Sequence, residues 1–580
     1  MLYTVCKPPT AEAPKSLTTP WFQDTSRLSS APADSALLHS LGLFLLFFLA
    51  FAPSLTWLEF SGGMENVNVA TALETRREGH WLIPFLNGEP RTAKPPLAQW
   101  MAALGILSSD SLPWGARWPT LVCSCLMLVA TYHLGRLVVD AKVGLLAALV
   151  CGSMCLFIRY AQQAQYDPPL ALLVTVANVF LATIIFNQQW WTGCVGAGIA
   201  IGLAIMTKGP IALIQSIVPA ILFAAFRHWM PQTSESNARP DSQAAQAPRP
   251  SSSTKIAAIL VGLALMLLIC LPWTLYVEYK IPGRFAQWHD EVLMRNEARY
   301  DKPDNWWNYG SIIAWIMPWS AWLIAGLVGV FVDAPSRLRR RLFFLVCLTL
   351  VPIIIMSFVS PRRNRYLLPM ITPIAILIAW RITLHVRTSR WKIADLLLLW
   401  AHWLILGSLV FGLPVAGVFF LQTVDHRPWY PWPLATLFVA LAAIIFIKMI
   451  RSPRSPWTLA VGTVLLMLMF HTLFLWGYRD SAQGRSPGKA LAQRLRAAYP
   501  DALAYNGYPG GHHDAPLEIS IYLDKPLLRF PDPSKIPASP KPQIIIMPGP
   551  GPEAPNVPGF RLIDKSCMEN DWWYALLKQP

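Results

Sequence analysis

The chain has 580 residues, of which 54% are hydrophobic and only 14% are charged, whereas soluble proteins average roughly 25% charged residues. Apolar runs of about 20 residues recur along it, which favours a polytopic membrane protein over a set of soluble domains. The net charge of +16 is typical of Lys and Arg collecting in cytoplasmic loops, so it does not by itself indicate nucleic-acid binding.

Thirteen apolar segments are long enough to be predicted as transmembrane helices. They cover residues 37–59, 115–135, 141–159, 168–187, 190–207, 209–227, 255–278, 308–332, 341–358, 366–386, 393–422, 431–450 and 456–478. The predicted architecture is therefore an all-α membrane domain, residues 37–478, between an N-terminal tail, residues 1–36, and a more polar segment, residues 479–580. No small-residue cleavage site follows the first span, which is predicted to be retained.

The distribution of basic residues predicts the orientation of these spans. If the N-terminus is cytoplasmic, the inner connections hold most of the clustered Lys and Arg, for example Arg337 to Arg341, as the positive-inside rule requires. The inner linker 228–254 is rich in Ser, Pro, Ala and Gln and is predicted to be disordered. The odd number of spans then places residues 479–580 on the outer side.

The C-terminal segment, residues 479–580, differs from the rest of the chain. SPGKALAQRLRAAYP predicts a helix, whereas LEISIYL and PQIIIMPG predict short strands. With Pro-rich turns between them, they fit a small α/β domain. His512, His513 and Asp514 lie in a Gly/Pro loop and are interpreted as a surface turn. Because the nine cysteines form neither CxxC pairs nor clusters with His, no metal site is predicted.

Several basic residues on the outer side are not explained by the orientation of the spans. They are Arg91 and Lys94 in loop 60–114, Arg299 in loop 279–307, Lys208 in MTKGP, and Arg362 and Arg365 in RRNRYLLP. A single cation of this kind is commonly one that snorkels to the interface. Four groups at one face are what an anionic lipid headgroup needs, because Lys binds phosphate as a point charge and Arg binds it in a bidentate manner.

Two carboxylates accompany these cations. Glu65 follows the first span and Asp167 begins the fourth. Ionisable residues at membrane depth are costly and often functional, although Asp167 also precedes Pro168 at a helix start and is suited to a capping role. Beside a bound phosphate, a carboxylate would take the proton of an acceptor while the cations stabilise the leaving phosphate. With a glycosyl phosphate as donor, this single displacement inverts the configuration of the sugar.

Four stretches, taken in order, resemble landmarks of the GT-C class of polyprenyl-phosphate-sugar-dependent glycosyltransferases. They are REGHWLIPFLNGEPRTAKPPLAQWM, IMTKGPIAL, NWWNYGSIIAWIMPWS and RNRYLLPMITPIAIL. The nearest branch is the bacterial protein-mannosyltransferase and lipid A aminoarabinose-transferase family, and the resemblance covers nearly the whole chain. It implies a multi-pass protein of the bacterial inner membrane with amphipathic helices in its periplasmic loops and a periplasmic C-terminal domain.

The resemblance also implies roles for individual residues. Lys94 would hold the lipid phosphate of the donor, with Lys208, Arg365 and Arg362 in the same site, and Arg91, Arg299 and Tyr366 are further candidates for substrate binding. The family usually has an Asp-Glu pair after the first span, with the Asp as presumed base. Here Met64 takes the position of that Asp, so the expected catalytic carboxylates are Glu65 and Asp167. Ala93 replaces another common acidic residue. No cofactor is required by the sequence, and a divalent cation is compatible with it.

Two other functions are compatible with the sequence. A transporter or flippase of lipid-linked sugars would show repeats and broken spans in matching halves, and thirteen spans do not divide in this way. A non-catalytic relative that binds a lipid-linked sugar without transferring it would explain Met64. The expected partners are a polyprenyl-phosphate sugar donor, membrane lipids, and lipid A, a protein or a glycan as acceptor, with no nucleic acid. The sequence identifies neither the sugar nor the acceptor.

Overall fold

The computed structural model of the chain describes residues 33–60, 63–229, 250–293, 305–359, 362–387, 393–412, 432–453, 455–483, 487–507, 517–530, 532, 535–549, 553–568 and 571–579. Arg299, His512, His513 and Asp514, all discussed from the sequence, lie outside these ranges. The described residues form a helical membrane region followed by a smaller unit that contains a β-sheet.

Nineteen α-helices make up the first part of the described chain. They are α1 Ala33–Phe51, α2 Gly63–Glu78, α3 Leu97–Leu107, α4 Leu112–Val138, α5 Ala141–Gly152, α6 Cys155–Tyr160, α7 Asp167–Asn187, α8 Trp190–Lys208, α9 Ile211–Gln215, α10 Ile217–Phe226, α11 Ser252–Lys280, α12 Arg284–Leu293, α13 Ile312–Trp315, α14 Ser320–Val332, α15 Ser336–Ser357, α16 Ile371–Arg387, α17 Ile393–Gly407, α18 Trp432–Arg451 and α19 Pro456–Gln483. A short antiparallel pair, β1 Phe85–Leu86 and β2 Glu89–Pro90, separates α2 from α3.

The described residues confirm a many-span membrane region and do not confirm the predicted number of thirteen spans. Within the described ranges, nine helices are long and apolar enough to cross a bilayer, or ten if the bent pair Trp307–Trp315 and Ser320–Val332 counts as one span. That pair is bent by 110°. The predicted span 141–159 is interrupted at Ser153, between α5 and α6, and the span 209–227 is interrupted at Ser216, between α9 and α10. Continuous hydropathy therefore did not reveal these two breaks, because apolar segments that pack inside a protein need not be straight helices.

Close helix packing in the membrane region depends on small residues. Gly198 of α8 and Gly262 of α11 face each other, and a Cβ at Gly198 would lie 2.1 Å from the carbonyl oxygen of Gly262. Gly135 of α4 and Gly144 of α5 make a similar close approach. Because lipid tails are as apolar as the helices, such close contacts are a main source of helix association in a bilayer. Larger side chains at these four positions would force the helices apart.

The C-terminal unit, residues 487–579, is built on a five-stranded sheet. Its elements are α20 Pro487–Ala498, β3 Leu503–Asn506, α21 Leu517–Leu523, β4 Leu528–Arg529, β5 Gln543–Gly549, β6 Arg561–Met568 and β7 Asp571–Lys578. The strand order is β4-β3-β5-β7-β6. Strand β3 pairs in parallel with β4 and β5, and β7 pairs antiparallel with β5 and β6.

The prediction that LEISIYL is a strand is wrong, because residues Leu517–Leu523 form helix α21. This helix is buried on two faces. Ile519 and Leu523 pack in the core beneath the sheet, whereas Leu517 and Ile521 pack against α2 and α3. Each pair has the i, i+4 spacing of one helix face. The two faces together produce alternating apolar residues, which imitate the period of a strand.

The C-terminal unit and the segment 63–107 share one hydrophobic core. Leu517 and Ile521 of α21 lie in it with Phe60, Val69 of α2 and Ala103 of α3. A second connection runs through the turn between β1 and β2, where the side-chain oxygen of Asn87 accepts hydrogen bonds from the backbone N–H of Leu527 and from the hydroxyl of Ser520. The C-terminal unit is thus packed directly on the segment 63–107, which also carries Lys94.

Candidate functional site

Three helix ends meet around Asp167. Asp167 is the first residue of α7, Lys208 is the last residue of α8, and Arg365 lies in the 3-10 helix Asn364–Met370. Lys208 donates a hydrogen bond to one carboxylate oxygen of Asp167, and Nε of Arg365 lies 3.5 Å from the other. The side chains of Asp167 and Lys208 are 2% and 7% exposed. Two residues predicted for one site are therefore joined in a buried ion pair, with a third beside it.

The helix termini favour this arrangement. A carboxylate is stabilised at a helix N-terminus and an ammonium group at a helix C-terminus, and these are the positions of Asp167 and Lys208. Pro168 and Pro169 occupy the first turn of α7, where a missing N–H disrupts no helical hydrogen bond. Gly209 ends α8 with a φ of +84°, a conformation that glycine adopts without strain. The local sequence thus favours the position of Asp167 at the start of α7 and that of Lys208 at the end of α8.

Tyr366 lies over the same cations. Nζ of Lys208 is 3.9 Å from the centre of its ring, and the guanidinium carbon of Arg365 is 5.5 Å from it. A cation over an aromatic face is stabilised by the ring quadrupole. Lys94 also interacts electrostatically with the Tyr366 hydroxyl. The structure therefore brings Lys94, Lys208, Arg365, Asp167 and Tyr366 into one cluster, called the cation cluster below.

Lys94 is held near this cluster by its loop. The loop runs from β2 to α3, and its Thr92 carbonyl accepts a hydrogen bond from the indole of Trp288 in α12. Arg91 in the same loop is 7% exposed, and its Nε and Nη1 atoms have no hydrogen-bond partner in the structure. Because an unpaired buried donor is costly, these N–H groups are well suited to receive an anionic or oxygen-rich ligand.

Arg362 lies at the edge of the cluster. Its Nε donates to the backbone carbonyl of Ser357, and its charge interacts with the hydroxyl of Tyr309. Tyr309 also interacts electrostatically with Asp167 and Tyr366. Arg362 is therefore close to the predicted site, although its Nε hydrogen bond is made to the backbone.

Glu65 lies in a different environment from Asp167. It is fully buried, and its carboxylate accepts hydrogen bonds from Nε and Nη2 of Arg117, at 2.8 and 3.1 Å, and from the N–H of Ala164, at 2.9 Å. Arg117 also donates to the carbonyls of Leu55 and Leu58. These contacts join the end of the first span, α2, α4 and the segment before Asp167. They are typical of a structural ion pair, and the role of Glu65 as a base stays a prediction.

Sequence reasoning missed Arg117 and Glu74. Arg117 lies inside the predicted span 115–135, and an ionisable residue at that depth could have been identified as the partner of a nearby carboxylate. Glu74 accepts hydrogen bonds from the N–H groups of Asn87 and Gly88 and so holds the β1–β2 turn. Burial raises the pKa of the Glu74 carboxyl above its ordinary value, against the opposing effect of these two N–H groups. No sequence signal marked this contact.

An apolar groove of 350 Å³ is built partly on the segments that carry Lys94 and Lys208. It is lined by Leu97, Trp100, Met206, Ile269, Trp273 and Tyr276, among others. Leu97 follows Lys94 by three residues in the chain, and Met206 precedes Lys208 by two on helix α8. Among the described residues, no group of three or more His, Cys, Asp and Glu side chains is placed to hold a metal ion.

A cluster of buried cations and an apolar groove, on one helical membrane scaffold, are features suited to a phosphate-bearing lipid. The fold is similar to the crystal structure of ArnT from Cupriavidus metallidurans bound to undecaprenyl phosphate, with a TM-score of 0.67 and 15% sequence identity over 94% of this chain and 98% of that chain. The apo state of the same protein gives the same score, at 14% identity.

Sequence comparisons also find similarity to glycosyltransferases that use polyprenyl-phosphate-linked sugars. The family described as dolichyl-phosphate-mannose-protein mannosyltransferase matches residues 93–238. Undecaprenyl phosphate-alpha-4-amino-4-deoxy-L-arabinose arabinosyl transferase 2 of Pseudomonas fluorescens is 24% identical over 67% of this chain and 68% of its own length. The arabinosyl transferase of the same description from Pseudomonas paraeruginosa is 26% identical over 63% of this chain and 62% of its own length. The resemblance to GT-C polyprenyl-phosphate-sugar glycosyltransferases, predicted from the sequence, is confirmed.

Proposed function

We propose that this protein is an integral-membrane glycosyltransferase that moves a sugar from a polyprenyl-phosphate donor to an acceptor of the cell envelope. The observation that carries the proposal is the buried ion pair of Asp167 with Lys208, with Arg365 beside it. The resemblance to the arabinosyl transferases supports an undecaprenyl-phosphate-linked amino sugar as donor. Lipid A, a protein or another glycan is the acceptor, and the site faces the periplasm.

The groove and the cation cluster divide the binding of the donor between them. The polyprenyl chain would occupy the apolar groove, where the burial of each CH₂ group contributes about 0.8 kcal/mol. Its phosphate would lie among Lys94, Lys208 and Arg365. Arg91, with free buried donors, would bind the phosphate or a sugar hydroxyl. This arrangement sets the anomeric carbon at the open side of the cluster.

The transfer would then be a single displacement. The nucleophilic atom of the acceptor attacks the anomeric carbon, the bond from that carbon to the phosphate oxygen breaks, and the polyprenyl phosphate leaves with the bonding electrons. The cations stabilise the charge that develops on the leaving oxygen. Asp167 takes the proton of the acceptor as general base, because it is the carboxylate of the cluster. The configuration of the sugar is inverted.

Two matched variants test this assignment. Asp167→Asn and Glu65→Gln each replace a buried carboxylate by its amide. The purified full-length chain, in detergent with envelope lipids, would be assayed for transfer from undecaprenyl phosphate 4-amino-4-deoxy-L-arabinose, and for binding of undecaprenyl phosphate in parallel. We expect Asp167→Asn to lower turnover by about 10²-fold or more, the usual contribution of a general base, and to retain binding of the lipid phosphate.

Three results would contradict parts of the proposal. Wild-type turnover in Asp167→Asn would remove Asp167 as the base. A folded Glu65→Gln variant that binds the lipid phosphate but has no turnover would give the role of base to Glu65. Wild-type protein that binds the lipid phosphate and transfers no sugar to any envelope fraction would favour a non-catalytic relative.

A further inference from the structure

A second cleft, of 610 Å³, lies away from the cation cluster. It is enclosed by α2, by the turn from α3 to α4, and by helices α20 and α21 of the C-terminal unit. Leu73, Ile106 and Ile521 contribute apolar surface to it, and Arg76 and Arg496 contribute charge. None of the residues that line it belongs to the cation cluster or the apolar groove, so the proposed transfer does not account for it.

Three guanidinium groups surround one carboxylate at this cleft. Nitrogen atoms of Arg76, Arg77 and Arg496 lie 4.0, 3.5 and 3.7 Å from oxygen atoms of Asp524. These distances exceed the range of about 2.7–3.2 Å expected for a hydrogen bond. Asp524 thus offsets part of the positive charge of the three arginines without using up their donors, and Glu74 and Glu78 act on Arg77 from a greater distance.

Arg77 keeps an unused hydrogen-bond donor among the described residues. Its side chain is half-buried, and its Nε atom is buried without a hydrogen-bond partner. Burial lowers the pKa of the Arg77 guanidinium, and the carboxylates of Asp524, Glu74 and Glu78 only partly oppose this effect. A half-buried guanidinium with an unused donor can bind a further anion, and phosphate matches its geometry in a bidentate manner.

The cleft lies where the chain enters the membrane. Leu112 and Pro113, which line it, are the first residues of the helix Leu112–Val138, one of the nine candidate spans in the described part of the chain. On the adjoining helix α3, the side chains of Leu104 and Leu107 are exposed. An amphiphile could therefore place its headgroup in the cleft while its acyl chains lie against these leucines in the bilayer.

We propose that this cleft binds the phosphate-bearing headgroup of a membrane lipid, as an anion site separate from that of the donor. The charge of the three arginines selects the phosphate, and the position at the membrane surface selects a lipid over free phosphate. The site does not depend on sugar transfer, so it can exist whether or not the proposed function is correct.

The test uses the purified full-length chain in detergent with three probes: dihexanoyl phosphatidic acid, dihexanoyl phosphatidylcholine and inorganic phosphate. Arg76→Gln combined with Arg496→Gln is expected to weaken binding of phosphatidic acid by about tenfold or more, because charge-assisted hydrogen bonds are lost. Arg494→Gln is the matched control, since Arg494 lies on the same helix and pairs with Asp564. It should bind as the wild type does.

A variant that is expected to strengthen binding distinguishes a lost binding site from a misfolded protein. Asp524→Asn removes the only carboxylate that lies within 4.0 Å of the three arginines among the described residues, so it should strengthen binding of phosphatidic acid, which a misfolded protein would not do. Binding of undecaprenyl phosphate should be unchanged in Arg76→Gln/Arg496→Gln, because its site is elsewhere. The proposal is overturned if inorganic phosphate binds as tightly as phosphatidic acid, if phosphatidylcholine does so, or if none of the cleft variants changes the affinity.

Discussion

The ammonium group of Lys208 and the carboxylate of Asp167 form an ion pair that is almost entirely shielded from solvent. Each lies at the end of its own helix, so the pair joins α7 to α8 at the membrane surface. A buried pair of this kind is strongly coupled, because removal of one partner leaves the other charge uncompensated. It is also the part of the cluster that a bound phosphate would perturb most.

Lys208→Met should therefore destabilise the protein. It leaves Asp167 with the more distant Arg365, and breaking a buried pair typically costs about 3–5 kcal/mol. The double variant Asp167→Asn/Lys208→Met should lose less stability than the sum of the two single variants, which thermal unfolding in detergent would measure. Strict additivity of the two changes would show that the pair is not coupled.

Glu65→Gln should reduce stability through Arg117. The guanidinium would lose its counter-ion in a buried position, which we expect to cost about 3–5 kcal/mol, while its hydrogen bonds to backbone carbonyls remain. Arg117→Met should have a similar effect, and the double variant should recover part of the loss. Equal stability of wild type and Glu65→Gln would contradict the structural role of this pair.

The pKa of Glu74 predicts a pH dependence of stability. The carboxyl has a pKa that burial raises above its ordinary value of 4.5, so the folded state holds the proton more tightly than the unfolded state does. Its favourable contribution is complete below pH 4.5 and is lost as the pH rises through the folded pKa. Between pH 4 and 7, the unfolding temperature of the wild type should therefore fall relative to that of Glu74→Gln. If the curves of unfolding temperature against pH were parallel for the two proteins, Glu74 would be ruled out as the source of the pH dependence.

The Asn87 side chain should anchor the C-terminal unit. Asn87 has a φ of +56°, so Asn87→Gly keeps the turn and removes only the side-chain acceptor. The N–H of Leu527 is then left unpaired at a buried position, which costs about 1–3 kcal/mol. Limited proteolysis should release the C-terminal unit faster in Asn87→Gly than in Ser520→Ala, which removes only a 3.3 Å hydrogen bond. Equal rates would show that the anchor lies elsewhere.

Cys567 offers a test of the predicted periplasmic location. It is exposed in β6, whereas the other cysteines of the described residues are buried or half-buried. A membrane-impermeant maleimide should label it in spheroplasts without permeabilisation, and Cys567→Ser should remove that signal. Cys6, predicted to be cytoplasmic, should react only after permeabilisation. Labelling in the reverse order would invert the predicted orientation.

The sequence predicted the class of fold and most of the cation cluster, because both depend on local signals. Lys208, Asp167 and Arg365 were identified as charges at the ends of apolar segments, and the structure brings them together. The breaks at Ser153 and Ser216 were missed because hydropathy reports burial and does not report helix continuity. The partner of Glu65 was missed for a related reason. Arg117 lies 52 residues away, and the pairing exists only once α2 and α4 have packed.

The limits of pattern recognition are clearest at α21. Its alternating apolar residues predicted a strand, since a pattern of period two is typical of a half-buried strand. A short helix between two cores gives the same pattern, and only the tertiary structure distinguishes them. The sequence likewise could not show that the C-terminal unit packs on the β1–β2 turn, because the contacts of Asn87 join residues about 430 positions apart.

The core shared by Phe60, Val69, Leu517 and Ile521 has a consequence for membrane insertion. Two segments that pack together in water must emerge on the same face of the bilayer. The chain between them must therefore cross the bilayer an even number of times, whichever face that is. Insertion with one crossing too many or too few would leave the two halves of this core on opposite sides. The last span must therefore insert in the correct orientation before the segment that follows the first span can complete its packing.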